Sequence, residues 1–277
     1  MQFVSAEALW QTFAQRAMLV LADEGRPMDE IEALHIAEAV VERGDLPLLG
    51  RDPGETYKMG IMGGTFDPIH NGHLVAAEQA YDDLGLDVVV FMPAGSPAFK
   101  QHKRVTSGED RYAMTLLATS DNPHFLASRF EVDREGITYT AETLERLSAI
   151  YPKNVEFYFI TGADAIAEIV TWRDAGKIAR LAHLVGATRP GYDLAHARAA
   201  FEESPYKFDV TYLEVPALAI SSSYLRKRVE ADQSLRYLTP DQVTGYIHKH
   251  HLYGVKPKRY GSSDLEMDAL GQRGGER

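Results

Sequence analysis

The chain has no cysteine among its 277 residues. Disulfide scaffolding, thiolate catalysis and cysteine-held zinc or iron–sulfur centres are therefore excluded together. It also lacks long apolar runs. Stretches such as Ala17 to Ala22 and Val88 to Met92 fall far short of the roughly 20 residues a membrane span needs. No basic, apolar leader opens the chain, so a cytoplasmic protein that neither crosses nor inserts in a membrane is expected. Positive charge is scarce as well: 29 Lys and Arg face 40 Asp and Glu, for a net charge of -11. A general nucleic-acid binder would need the opposite balance. The deficit is uneven, because residues 1–57 hold eleven acids against four bases. The rest is nearly balanced and leaves room for local basic sites that take small anions.

What is present is an ordinary globular composition, 45% hydrophobic and 25% charged, enough for one large domain with an appendage. Residues 1–56 read as a helical appendage with a linker. Leu9, Phe13, Ala17 and Val20/Leu21 recur at helical spacing, as do Ile31, Leu34, Ala37 and Val41, with Gly25-Arg26-Pro27 between them. Their apolar stripes must be covered, by the main body or by a second copy in a homo-oligomer. Gly44 to Pro53 has linker composition.

From Tyr57 short β-rich runs alternate with amphipathic helices, the pattern of an α/β fold with a doubly wound, Rossmann-like parallel sheet. Strands are expected at 58–62, 88–92, 155–160, 184–187 and 210–214, with a weaker one at 125–130. Helices are expected near 73–84, 108–119, 141–150, 175–181, 193–203, 222–231 and 240–249. This main domain runs to about residue 255, and residues 256–277, rich in Gly, Ser and charge, are expected to form a mobile tail.

Ligands of such sheets bind beyond the carboxyl ends of the strands. The first such turn reads Gly63-Gly64-Thr65-Phe66-Asp67-Pro68-Ile69-His70-Asn71-Gly72-His73. Paired glycines allow close backbone approach, a helix opening near Asn71 presents unpaired N–H groups, and two imidazoles stand at i and i+3. Together these features suit a polyphosphate. Neither GxGxxG nor GxxxxGK[ST] is present. As plain structure, the glycines would turn the chain while His70 caps and His73 packs. A zinc site from Asp67, His70 and His73 lacks a further ligand cluster, and no protein-held metal is expected. Late in the chain, Ile220-Ser221-Ser222-Ser223-Tyr224-Leu225-Arg226 reads as a serine-capped helix whose Arg226 can fork onto phosphate oxygens.

The first segment resembles the GTFDPxHxGH signature of the nucleotidyltransferase superfamily. The second resembles its ISSTxIR box, with Ser223 for Thr and Leu225 for Ile. Gly136 to Leu144 resembles G-x-SYT-x-x-TL, Gly162-Ala163-Asp164 with Trp172 resembles GxD-x7-W, and Arg189-Pro190-Gly191-Tyr192 resembles RPGY. Over residues 58–255 the chain is thus similar to the bacterial nicotinate-mononucleotide adenylyltransferases. That resemblance implies transfer of the AMP moiety of ATP to nicotinate mononucleotide, releasing pyrophosphate, with Mg²⁺ carried mainly by the ATP phosphates. It implies His70, His73 and Arg226 as catalytic residues on the triphosphate. It places Gly64, Thr65, Phe66, Asp164, Ser222 and Ser223 on ATP, and Thr140, Trp172 and Arg189 on the mononucleotide. Where the family carries Pro-His-Lys/Arg, this chain has Ser96 to Arg104. Lys100 is the first choice for the mononucleotide phosphate, with Lys103 its competitor. The alternatives are another enzyme of the superfamily, such as a phosphopantetheine adenylyltransferase, or a non-catalytic nucleotide-binding regulator.

Overall fold

A computed structural model describes residues 46–255, apart from 48, 51, 53, 98–104, 192 and 217. The two N-terminal helices, the tail, Lys100 and Lys103 all lie outside the described residues. In chain order the elements are β1 (Tyr57–Gly64), α1 (Asn71–Leu84), β2 (Val88–Pro93), β3 (Ser96–Pro97), α2 (Gly108–Thr119), β4 (Phe125–Ala127), β5 (Ile137–Thr138) and α3 (Thr140–Ile150). They continue with β6 (Val155–Gly162), α4 (Ala163–Ile166), α5 (Ala175–Leu181), β7 (Ala182–Thr188), α6 (Ala195–Glu202), β8 (Val210–Glu214), α7 (Ser222–Glu230) and α8 (Asp241–Lys249). Short 3₁₀ turns lie at Ile169–Thr171 and Leu252–Gly254.

Six strands form one sheet in the order β4-β2-β1-β6-β7-β8, and every pairing in it is parallel. The chain works outward from β1 to one side, then crosses back and works outward to the other. The reversal falls between β1 and β6, so a crevice opens where their carboxyl ends part. All six residues of β2 are buried, as expected of a strand covered on both faces. Val88, Val90 and Met92 join Met59, Ile61, Leu144, Leu147 and Phe159 in one core. Val89 and Phe91 join Ala77, Ala80, Met114, Ile160 and Ile247 in the other.

The fold is the one expected from the sequence, with instructive differences at the ends. β1 runs to Gly64 rather than stopping at Met62, because Gly63 and Gly64 still pair with Met92 and Pro93 of β2. The weak strand stops at Ala127. Beyond it Ser128 donates its N–H to the carbonyl of Phe91 (2.9 Å) and uses its hydroxyl to accept from the N–H of Phe130 (3.1 Å), which turns the chain away from the sheet. The two-residue strands β3 and β5 pair with each other and are too short to leave a periodic signal. They bring loop 94–97 against segment 130–138, and Gly95 makes that approach possible: a Cβ there would lie 2.1 Å from the backbone carbonyl oxygen of Glu131.

Gly95→Ala is therefore expected to destabilise the protein by about 1–3 kcal/mol, the range for forced overpacking. Urea unfolding of the two proteins would show it, and an unchanged midpoint would refute the close approach.

Candidate active site

The turn after β1 is built around a buried ring. Phe66 sits at φ 50° and is 2% exposed, its side chain packed edge-on against His73 (5.0 Å) and tilted against Phe91 (5.9 Å). Gly64 leaves room for it, since a Cβ at Gly64 would stand 2.8 Å from Phe66 Cε1. Of Phe66, then, the backbone and not the ring is available to a ligand. Asp67 and Pro68 are joined by a cis peptide bond, and His70 occupies the N-cap of α1.

The two imidazoles stack with centroids 3.7 Å apart. The backbone N–H of His70 donates to His73 Nδ1 at 3.2 Å. That bond requires an unprotonated Nδ1, so neutral His73 carries its proton on Nε2. Gly72 is constrained by the same geometry, because a Cβ there would be 3.1 Å from His70 Nδ1. Burial lowers the pKa of His70 from 6.5 to about 4, since removing the imidazolium from water costs more than its backbone contact returns. His70 is neutral at pH 7.

The late serine–arginine segment closes on this turn. Ser221 caps α7 by accepting from the N–H of Tyr224 (3.2 Å). Ser222 donates its hydroxyl to the carbonyl of Pro68 (2.8 Å). Arg226 donates through Nη1 to the carbonyl of Asp67 (2.6 Å) and through Nη2 to Ser223 Oγ (3.1 Å). Thr239 donates to the carbonyl of Ile69 (2.8 Å), and the N–H of Asn71 donates to the carbonyl of Leu238 (2.9 Å). The carboxylate of Asp67 is 3.9 Å from Arg226 and accepts from the Tyr253 hydroxyl at 2.8 Å. Burial, followed by the Asp67 charge, pushes the Tyr253 phenol upward, so it stays protonated and donating.

Beside the turn, at the carboxyl ends of β1, β2 and β6, lies a cavity of about 370 Å³. Gly64, Thr65, Thr140 and Trp172 line it, which places four of the sequence-derived ligand residues on one wall system. Trp172 stands edge-on to Phe159, centroids 6.2 Å apart. Asp164 is the second residue of α4, directly after β6. Arg189 follows β7 on an exposed turn and is not among the cavity-lining residues.

Sequence reasoning missed the residue beneath all of this. Arg111, in the first turns of α2, is 1% exposed. It donates to three carbonyls, those of Thr106 (2.9 Å), Thr65 (2.9 Å) and Gly95 (2.8 Å). It thereby ties the loop after β1 to the loop after β2, a role that nothing in the local pattern Glu109-Asp110-Arg111-Tyr112 distinguishes from a surface charge. Glu131 was missed too. It lines the cavity, accepts from Thr143 Oγ1 at 2.7 Å, and burial raises its pKa against the opposing effect of that bond and of Arg134 and Arg111.

Comparison with known proteins agrees with this architecture. Residues 61–228 match the cytidylyltransferase-like family model. A protein of Corynebacterium glutamicum named "Probable nicotinate-nucleotide adenylyltransferase" is 49% identical over 215 residues, covering 78% of this chain and 94% of that one. A protein of Frankia alni with the same name is 55% identical over 192 residues, 69% of this chain and 98% of its own. Among solved structures, the nicotinic acid mononucleotide adenylyltransferase of Plasmodium falciparum, complexed with NaAD, superposes with a TM-score of 0.61 at 19% identity. It covers 72% of this chain and 98% of that one and shares the fold.

The depressed pKa of His70 has a sign that can be checked. The unfolded chain takes up a proton near pH 6.5 while the folded chain resists until about pH 4, so acidification through that window removes about 3 kcal/mol of stability. The melting temperature of the wild type should therefore fall more steeply between pH 6.5 and 4 than that of His70→Gln. Parallel curves would contradict the burial argument.

Proposed function

The chain belongs to the nicotinate-nucleotide adenylyltransferase family, within the cytidylyltransferase-like class, and on that premise we propose that it joins the AMP moiety of ATP to nicotinate mononucleotide. The products are nicotinate adenine dinucleotide and pyrophosphate, a step of NAD biosynthesis carried out in the cytoplasm. The observation that carries this reading is the meeting of Arg226 with the Asp67 carbonyl at 2.6 Å. It sets a guanidinium from late in the chain beside a paired-imidazole helix start, next to a cavity with an aromatic wall.

The reaction is an in-line displacement. An oxygen of the mononucleotide phosphate attacks the α-phosphorus of ATP, the bond to the bridging oxygen breaks, and pyrophosphate leaves. No protein nucleophile is required, so the protein's task is to align two anions and to hold the charge that develops on the phosphate oxygens. His73 presents Nε2–H to the triphosphate, and His70, neutral and stacked on it, fixes the ring and shares the contact. Arg226 grips the outer phosphates, while the backbone N–H groups around Gly64, Thr65 and Phe66 face phosphate oxygens. The hydroxyl of Ser222 pins the turn at Pro68, so its contribution to ATP binding comes from the start of α7, together with Ser223. Asp164 takes the ribose hydroxyls of ATP. Trp172 stacks on the pyridine ring, with Thr140 and Arg189 on the mononucleotide and Lys100 or Lys103 on its phosphate.

Among the described residues no group of three His, Asp or Glu converges to hold a metal ion, and the carboxylate of Asp67 is already engaged by Tyr253. The side chains present do not form a cation cage. Mg²⁺ would arrive bound to the triphosphate, and the steps above rest on the protein's own groups.

Purified full-length protein with ATP, Mg²⁺ and nicotinate mononucleotide should release pyrophosphate. His73→Ala should lower kcat by about 10²–10³-fold, the cost of losing one preorganised donor. Absence of pyrophosphate with every pyridine mononucleotide would defeat the reading. Release with phosphopantetheine instead would transfer it to the sister activity.

A further inference from the structure

Among the described residues the cavity walls carry two charged side chains, Glu131 and Arg173. Glu131 is occupied inside the protein by the hydroxyl of Thr143. Arg173 is placed differently. Its guanidinium carbon lies 4.5 Å from the centre of the Tyr139 ring, a cation–π contact. The carboxylate oxygens facing it are Glu142 Oε1 at 3.9 Å and Asp174 Oδ2 at 4.0 Å, both beyond hydrogen-bond length. Glu142 is already bound to Arg134 at 2.9 Å, and Asp174 is half exposed, where water screens its charge.

Geometry decides what such a guanidinium can still do. The cation–π contact engages the guanidinium through its charge and does not use its N–H donors, which lie in a fork that matches a carboxylate. The preceding residue, Trp172, lines the same cavity. A flat platform followed directly by a planar cation fits a heteroaromatic ring that bears a carboxylate. We propose that Arg173 is the residue that selects the acid over the amide form of the pyridine mononucleotide, an inference that rests on the adenylyltransferase reading above. A carboxamide brings no charge to the guanidinium, and its NH₂ would face N–H donors, whereas the acid meets them with two acceptors.

The test compares kcat/KM for nicotinate and nicotinamide mononucleotides in the wild type, Arg173→Gln and Arg173→Lys, at low and high salt. The acid-to-amide ratio should fall by about tenfold in Arg173→Gln, through KM for the acid, as expected when a charge-assisted hydrogen bond is lost. Arg173→Lys, which keeps the charge but not the fork, should fall in between. Added salt should lower the ratio in the wild type and leave it unmoved in Arg173→Gln. A ratio unchanged by Arg173→Gln, or an equal loss with both mononucleotides, would overturn the assignment while leaving the adenylyltransferase reading intact. Wild-type protein inactive with both mononucleotides would overturn that reading and this inference with it.

Discussion

The structure depends on three successive carbonyls that the turn after β1 cannot satisfy for itself. Asp67, Pro68 and Ile69 lie in neither strand nor helix, and their oxygens are bonded by Arg226, Ser222 and Thr239 respectively. Each of these donors lies more than 150 positions along the chain from its acceptor. A backbone acceptor left buried without a partner costs about 1–3 kcal/mol, so the turn keeps its shape only while the C-terminal segment is docked. The same docking delivers the guanidinium to the imidazole pair. The contacts that hold the turn and those that place the guanidinium are thus partly the same contacts.

A second set of bonds works from the opposite side. Arg111 reaches up from α2 and donates to the carbonyls of Thr65 and Gly95, joining the loops that follow two adjacent strands. A buried guanidinium stays charged, even though burial lowers its pKa. Here it is surrounded by carbonyl dipoles, with Asp67 and Glu131 contributing at longer range. Both carbonyls are thereby fixed on the side of the loops that Arg111 approaches.

The fold was legible in the sequence because its strands are buried on both faces and its helices on one, so both periods stand out. What escaped was set by contacts between distant segments. β3 and β5 exist because Gly95 admits a carbonyl, and a two-residue ladder carries no period. The imidazole pair and Arg226 could be singled out because chemistry restricts those residue types at that spacing. Arg111 could not, since a lone arginine in a helix with acidic neighbours looks solvated. Tyr253 follows two histidines near the end of the described chain, and nothing local shows that its hydroxyl reaches Asp67. Ser222 is a subtler case: nothing local to its helix start shows that its hydroxyl reaches the carbonyl of Pro68.

Asp67 explains how such a concentration of positive charge is tolerated before substrate arrives. Arg226, Arg111 and the N-terminus of α1 all direct positive potential toward one small region, and two of these groups are substantially withdrawn from water. A carboxylate contacting Arg226 directly would neutralise it and compete with the triphosphate. Instead Asp67 gives Arg226 its backbone carbonyl at 2.6 Å and keeps its carboxylate oxygen Oδ2 3.9 Å away, with Tyr253 holding the other oxygen, Oδ1. The negative charge is thus close enough to offset part of the surrounding positive charge and too distant to occupy the guanidinium's fork. A ligand anion that brings shorter bonds and more charge can displace this weak association at small cost, without removal of Asp67.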